Sequence, residues 1–171
     1  MNLKDALQGR RSVRRYEKRP VSRDLITELI GAAETAPSAG NLRARKYVVV
    51  MRPEMRKALA VAAYSQRPVE AAPQLIVVCA DIDRSSARYG DRGYLFSIQD
   101  ATAATMCILL AAHDLGLGAC WVGAFDDALV REALQLGERV LPVALIAVGW
   151  PAEMPQPPPG RSLDEATIWI E

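Results

Sequence analysis

The chain has 171 residues, half of them apolar and 24% charged, with a formal net charge of +1. That size suits one folded domain spanning residues 1–171, and the composition is that of a globular chain, not a disordered one. The charge is uneven, because residues 1–23 carry eight Lys/Arg against two Asp/Glu and the remainder sums to −5. A basic segment on a slightly acidic body points to a local anion site. A nucleic-acid surface would be basic over a whole face and interleaved with aromatics, and Phe and Trp total only five here.

A short helix is expected over Leu3–Gln8, followed by the basic stretch "QGRRSVRRYEKRP" at 8–20. Residues 22–35 read as an amphipathic helix with Leu25, Ile26, Leu29, Ile30 and Ala33 on one stripe; Ser22 is its N-cap and Pro37 stops it. A loop, "APSAGNLRA", precedes a β-branched strand at 46–51. Pro53 opens a helix to about Tyr64, 74–80 is a second strand, and 81–93 reads as a polar loop. Residues 95–115 form the strongest helix signal, apolar nearly all round and ended by Gly116 and Gly118. Such a helix belongs in a core or a subunit interface. A strand at 119–122, a helix at 126–136 and a long strand at 141–150 follow. The prolines of 151–161 impose an extended arm. Beyond it, Ile168-Trp169-Ile170 alternates as a terminal strand would, to pair with a distant sheet edge or with a neighbouring subunit. The mixture implies an α/β or α+β layer fold.

No secretory signal or transit peptide is expected, and the longest charge-free apolar run, Ala101–Ala112, is shorter than the roughly 20 residues a membrane span needs. Cys79, Cys107 and Cys120 lie in apolar stretches without a CxxC pair, which suits buried reduced thiols and a cytoplasmic location. The single histidine, His113, reads as a helix-end or interface residue. No nucleophile elbow, zinc motif, P-loop, EF-hand or dinucleotide fingerprint occurs, so no metal site and no catalytic side chain are expected.

What remains suits a phosphate. An extended backbone would send Arg10, Ser12 and Arg14 to one side, giving two guanidinium forks and a hydroxyl. A solvated basic strip is the plain alternative, and Arg161 could add a further cation.

These residues also carry a resemblance. "RRSVRRYEKRPVSRDLITELIGAAETAPSAGN" resembles the opening of the nitroreductase family of flavin enzymes. "IQDATAATMCILLAAHDLGLGACWVGAF" is similar to that family's long central helix, Gly-Leu-Gly end and Trp-hydrophobic-Gly turn. Gly149-x-Pro151, the proline arm and Arg161-x-Leu163 form a third, weaker block in the same order. The resemblance implies a nitroreductase-like α+β fold, a central, mostly antiparallel sheet flanked by helices, with the C-terminal strand exchanged between subunits of a homodimer. It implies FMN (rarely FAD) at the interface, its phosphate held by Arg10, Ser12 and Arg14 with Arg161, and Arg11 contributing mainly backbone. Pro37, Ser38, Ala39 and Asn41 would come from the partner, Asn41 bonding the flavin edge. Val122, Gly123 and Ala124 would line the ring, with a backbone N–H near the flavin N5. Arg15, Lys18 and Arg19 would be solvated neighbours.

The implied activity is hydride uptake from NAD(P)H and ping-pong electron delivery to a nitroaromatic, quinone or similar small electron-poor acceptor. A flavin storage or delivery protein, or a same-fold flavin enzyme for a different oxidation, is the alternative. The chain departs from the family in three places. "NLRAR" replaces the usual continuation of the Asn loop, so Arg43 and Arg45 could meet a reduced flavin anion, an acidic substrate or nicotinamide phosphates, or be a surface pair. Ala124 stands where Gly is frequent. Residues 52–97 are brief, predicting a small lid and an open site.

Overall fold

The computed structural model describes residues 2–170. Helix α1 (Leu3–Gly9) is capped by Asn2, and α2 (Arg23–Glu34) by Ser22, whose hydroxyl accepts the Leu25 N–H. A 3-10 turn at Ala39–Asn41 leads into β1 (Arg45–Val50). Then come α3 (Pro53–Ala62), α4 (Arg67–Ala71), β2 (Gln74–Asp81), α5 (Ile82–Tyr89) and α6 (Arg92–Asp114). The chain continues through β3 (Gly118–Val122), α7 (Asp127–Leu134), β4 (Val140–Gly149) and α8 (Leu163–Ala166).

The four strands form one sheet in the order β1-β2-β4-β3, antiparallel throughout, so the chain has an α+β fold. Strand side chains alternate faces. Ile76, Val78 and Ala80 with Ala144, Ile146 and Val148 pack on one side against Leu29 and Ala33 of α2 and Ala104, Ile108 and Ala112 of α6. Leu75, Val77 and Cys79 with Leu145 and Ala147 pack on the other, against Leu59 of α3, Val69 of α4 and Val130 of α7. Central strands covered on both faces explain the unbroken apolar runs of β2 and β4. By length and composition α6 could cross a membrane: it has 23 residues, and it is longer than the apolar run within it. It lies instead between α2, α5 and the sheet, with a buried, ion-paired Asp100 near its middle, which is the setting of a core helix.

Two expectations are corrected. The polar stretch 81–93 is mostly helix: Asp81 caps α5 by accepting the Arg84 N–H, and Gly90 ends it at φ +55°. Only Ile82 and Ser85 of α5 are buried, and its composition is strongly polar, so few apolar side chains announced it. The helix expected to reach Tyr64 stops at Ala62, because Tyr64 and Ser65 turn left-handed before α4 begins. Of the two partners expected for the terminal alternation, a sheet edge of the same chain is not used: it joins no strand among the described residues. Ile168, Trp169 and Ile170 are 90%, 81% and 96% exposed beyond the short α8.

Candidate cofactor site

The basic segment lies along the outer edge of β3. Ser12 forms a parallel bridge with Ala119, and Val13 donates its N–H to the Ala119 carbonyl at 3.0 Å. Val13 is buried against Gly118, where any Cβ would come within 2.7 Å of a Val13 methyl, so the segment sits as close to the strand as glycine permits. The C-terminal arm holds the segment from its other side. Tyr16 bridges Pro151, Ala152 donates to the Arg15 carbonyl, and Glu153 accepts the Arg14 N–H at 2.7 Å.

This clamping separates the arginines. Arg11 folds back onto the carbonyls of Gln8 and Arg10. Arg10 and Arg14 both act on Cys120: burial pushes that thiol up, and the two positive charges pull it back. Neither guanidinium has a carboxylate partner within 4.0 Å among the described residues. Of the cations expected to be merely solvated, Arg15 lies 3.9 Å from Glu153 and Arg19 stacks over Trp150. A cavity of about 320 Å³ opens beside the segment, with Leu109 and Leu117 on its floor and Arg10, Arg11, His113 and Glu153 around it. His113 thus ends a helix, half-buried, with its ring against Gly9.

At the other end of β3, Val122 is buried while Gly123 and Ala124 are exposed. The turn is pinned from behind: Gln66 Nε2 donates to the Ala124 carbonyl at 2.6 Å and Asp126 N–H to the Ala62 carbonyl at 2.8 Å. Neither Gly123 nor Ala124 donates its own N–H to another group of the described chain. From Ala119 to Val122 is about 10 Å of strand at roughly 3.3 Å per residue. The edge of β3 therefore carries unpaired guanidiniums at one end and free main-chain donors at the other.

The Pro37–Asn41 loop is elsewhere. It feeds β1, the opposite edge of the sheet, and no hydrogen bond joins it to residues 10–14 or 122–124. Pro37 and Asn41 are exposed, Ser38 and Ala39 half-buried. Gly40 turns left-handed beneath α5, and a Cβ there would meet Tyr89 Oη at 2.5 Å. Asn41 is also left-handed, at φ +55°, and its side-chain amide bonds to nothing else in the described chain. Arg161 stays on the arm, donating to the Glu165 carbonyl, with no bond to Arg10, Ser12 or Arg14.

Arg43 and Arg45, alike in sequence, are different objects. Arg45 is no substrate cation: its side chain is fully buried, pairing with Glu34 and Asp100 at 3.0 Å each and donating to the carbonyls of Glu34 and Ala36. Arg43 is half-exposed, 3.9 Å from Glu34. Asp100 escaped the sequence reading, although it is the one charged residue between Arg92 and Asp114 apart from His113, and that isolation was the available signal. Gln66 offered no such signal. For Glu34, burial opposes ionisation, but hydrogen bonds from Tyr47 and Arg45 and both guanidinium charges outweigh it and hold the carboxyl below its ordinary value of 4.5. A depressed carboxyl stabilises the fold above its unfolded value and loses that contribution as pH falls through the folded one. Melting curves of the parent and of Glu34→Gln should therefore converge as pH drops below about 4.5. A constant gap between them would show that the Glu34 charge contributes nothing. The three cysteines are free, and burial lifts the Cys79 thiol to about 12.

The architecture, one antiparallel sheet with an apolar central helix and an edge-bound basic segment, has clear relatives. The profile of the Nitroreductase family matches residues 7–71 and 60–150, and the chain belongs to that family. A NADH dehydrogenase of Thermus thermophilus is 32% identical over 197 aligned positions, covering 99% of this chain and 96% of that one. An FMN reductase (NADPH) of Bacillus subtilis is 29% identical, covering 90% of this chain and 67% of that one. Among solved structures, the NfrA1 nitroreductase of B. subtilis superposes with a TM-score of 0.91 at 26% identity, covering 98% of this chain and 73% of that one.

Proposed function

We propose that the protein is an FMN-dependent NAD(P)H oxidoreductase that works as a homodimer. The observation that carries this reading is the edge of β3, where, among the described residues, Arg10 and Arg14 lack carboxylate partners and Gly123 and Ala124 keep free N–H groups. That donor set fits a phosphomonoester at one end and a ring acceptor atom at the other. One carboxylate, Glu153, borders the cations, but its first bond is to the Arg14 main chain. Arg10, Ser12 and Arg14 hold the phosphate. Val122, Gly123 and Ala124 line one side of the ring, and the free amide of Asn41, with Pro37, Ser38 and Ala39, arrives from the partner subunit. Arg161 joins the phosphate when the arm is in place on the partner.

The chemistry that FMN supplies when bound is hydride acceptance from NAD(P)H and electron transfer, in ping-pong order, to a nitroaromatic, quinone or similar acceptor. The side chains bind and orient, and none needs to move a proton. Exposed apolar side chains on the arm (Met154, Leu163, Ile168, Trp169, Ile170) and on α1 and α6 (Leu3, Leu7, Tyr94, Leu95) favour a dimer with an exchanged arm. Cytoplasmic residence belongs to the same proposal and suits the free thiols.

Light scattering of the chain truncated after Gly160 tests the exchange. The expected result is loss of the dimer and of bound flavin. A truncated dimer that remains yellow would overturn the roles of the arm and of Arg161. Reductase and flavin-storage readings separate on turnover: bound flavin that neither NADH nor NADPH bleaches would favour storage.

A further inference from the structure

The loop between Ser38 and Ala44 adopts a costly conformation. Gly40, Asn41 and Arg43 have φ of +57°, +55° and +50°, and two of these are not glycine. Such backbones persist where their surroundings over-determine them. The surroundings here converge on one atom. Asp100 Oδ2 accepts the Ser38 hydroxyl at 2.8 Å and the Ala44 N–H at 2.7 Å, so both ends of the loop are tied to the same carboxylate oxygen. The Ser38 hydroxyl in turn accepts the Arg43 N–H at 2.6 Å, drawing the chain back across the turn. The other oxygen, Oδ1, accepts from Arg45 Nη1 at 3.0 Å, and the Arg45 fork is itself fixed by Glu34 and the Ala36 carbonyl. The Asp100 and Arg45 side chains are 1% and 0% exposed.

We infer that Asp100 is a positioning residue: by pinning both ends of the Ser38–Ala44 loop from α6, it sets the left-handed geometry in which Asn41 presents its amide to the cofactor. The loop's role in cofactor binding rests on the function proposed above; the pin itself does not. Every group facing the carboxylate is a donor, namely the Ser38 hydroxyl, the Ala44 N–H and the Arg45 guanidinium. Asparagine matches the shape of Asp100 but must aim its NH₂ at one of these sets of donors. A buried donor left facing another donor loses its bond and its solvation. Asp100 therefore acts through its two acceptor oxygens, and the isosteric amide cannot replace it.

The test uses the full chain with Asp100→Asn, measuring amide hydrogen exchange without flavin and FMN binding by fluorescence quenching. Exchange should rise at residues 39–44 while β2 and β4 stay protected. FMN should bind about tenfold more weakly, the equivalent of one lost buried hydrogen bond, and the absorption band of the bound flavin should shift. A merely structural role would lower melting temperature but leave the bound spectrum and, well below melting, the dissociation constant as in the parent; that result would overturn the inference. Unchanged exchange at 39–44 would overturn it as well. If Asp100→Asn does not fold, Ser38→Ala keeps the ion pair and should show the same exchange and binding effects at smaller size; their absence overturns the pin. A parent protein that binds no FMN would overturn the cofactor reading, while the exchange data still decide the pin.

Discussion

Replacing Arg10 and Arg14 together with alanine is expected to strip the protein of FMN while leaving its fold intact. Each guanidinium would contribute a charge-assisted hydrogen bond to the phosphate, and losing one costs about 1.5–3 kcal/mol. The pair therefore accounts for roughly a hundred- to ten-thousand-fold in affinity. The fold should not notice. Among the described residues the Arg14 side chain makes only a long 3.3 Å bond to the Ser12 carbonyl, and neither side chain is ion-paired. What anchors the segment is main chain and Val13: the Ser12–Ala119 bridge, the Val13 N–H bond to Ala119 and the contact with Gly118. The ratio of flavin absorbance to protein absorbance after gel filtration reads the first effect, and a thermal melt the second. A double variant as yellow as the parent would remove the phosphate assignment.

Arg45→Met is expected to have the largest effect on stability. It leaves Asp100 charged, buried and without its cation, and breaking a buried pair by removing one partner costs about 3–5 kcal/mol. For a chain of this length that is a fall of roughly 10 °C in melting temperature. Arg45→Lys should rescue little, because one ammonium cannot span Glu34, Asp100 and two carbonyls as a planar fork does. Arg43→Ala should stay within about 0.5 kcal/mol of the parent, since that side chain is half-exposed and 3.9 Å from its acid. Urea titrations of the three variants make the comparison; equal losses at 43 and 45 would contradict the buried-pair account.

The contrast between these two arginines marks what a sequence can carry. Local rules placed Ser22 at a cap, Pro53 at a helix start, and β2 and β4 as buried strands, because caps, proline geometry and β-branched runs act within a few residues. The alternation of Arg10, Ser12 and Arg14 made the basic segment readable as a candidate anion site, which remains a proposal about the edge of β3. The Arg45–Asp100 pair joins residues 55 apart; nothing near Arg45 distinguishes it from a surface charge, and the isolation of Asp100 in an apolar helix was the one local signal. Helix α5 was missed because it buries only Ile82 and Ser85 and is otherwise so polar that it reads as a loop. The terminal Ile168-Trp169-Ile170 pattern reads as a strand, but among the described residues it pairs with none and stays exposed. Which candidate residues lie together is a matter of topology that no local rule reaches: residues 10–14 and 122–124 flank β3, while the Asn41 loop feeds the opposite edge.

Anaerobic titration of the purified protein with NADPH, and separately with NADH, followed at the flavin band near 450 nm (roughly the value for any flavin), tests the central claim most directly. A yellow protein whose band bleaches with one equivalent of at least one nicotinamide, and returns when a nitroaromatic or quinone is added, is the predicted result. A protein that takes up no FMN, or holds it and bleaches with neither nucleotide, would contradict the account.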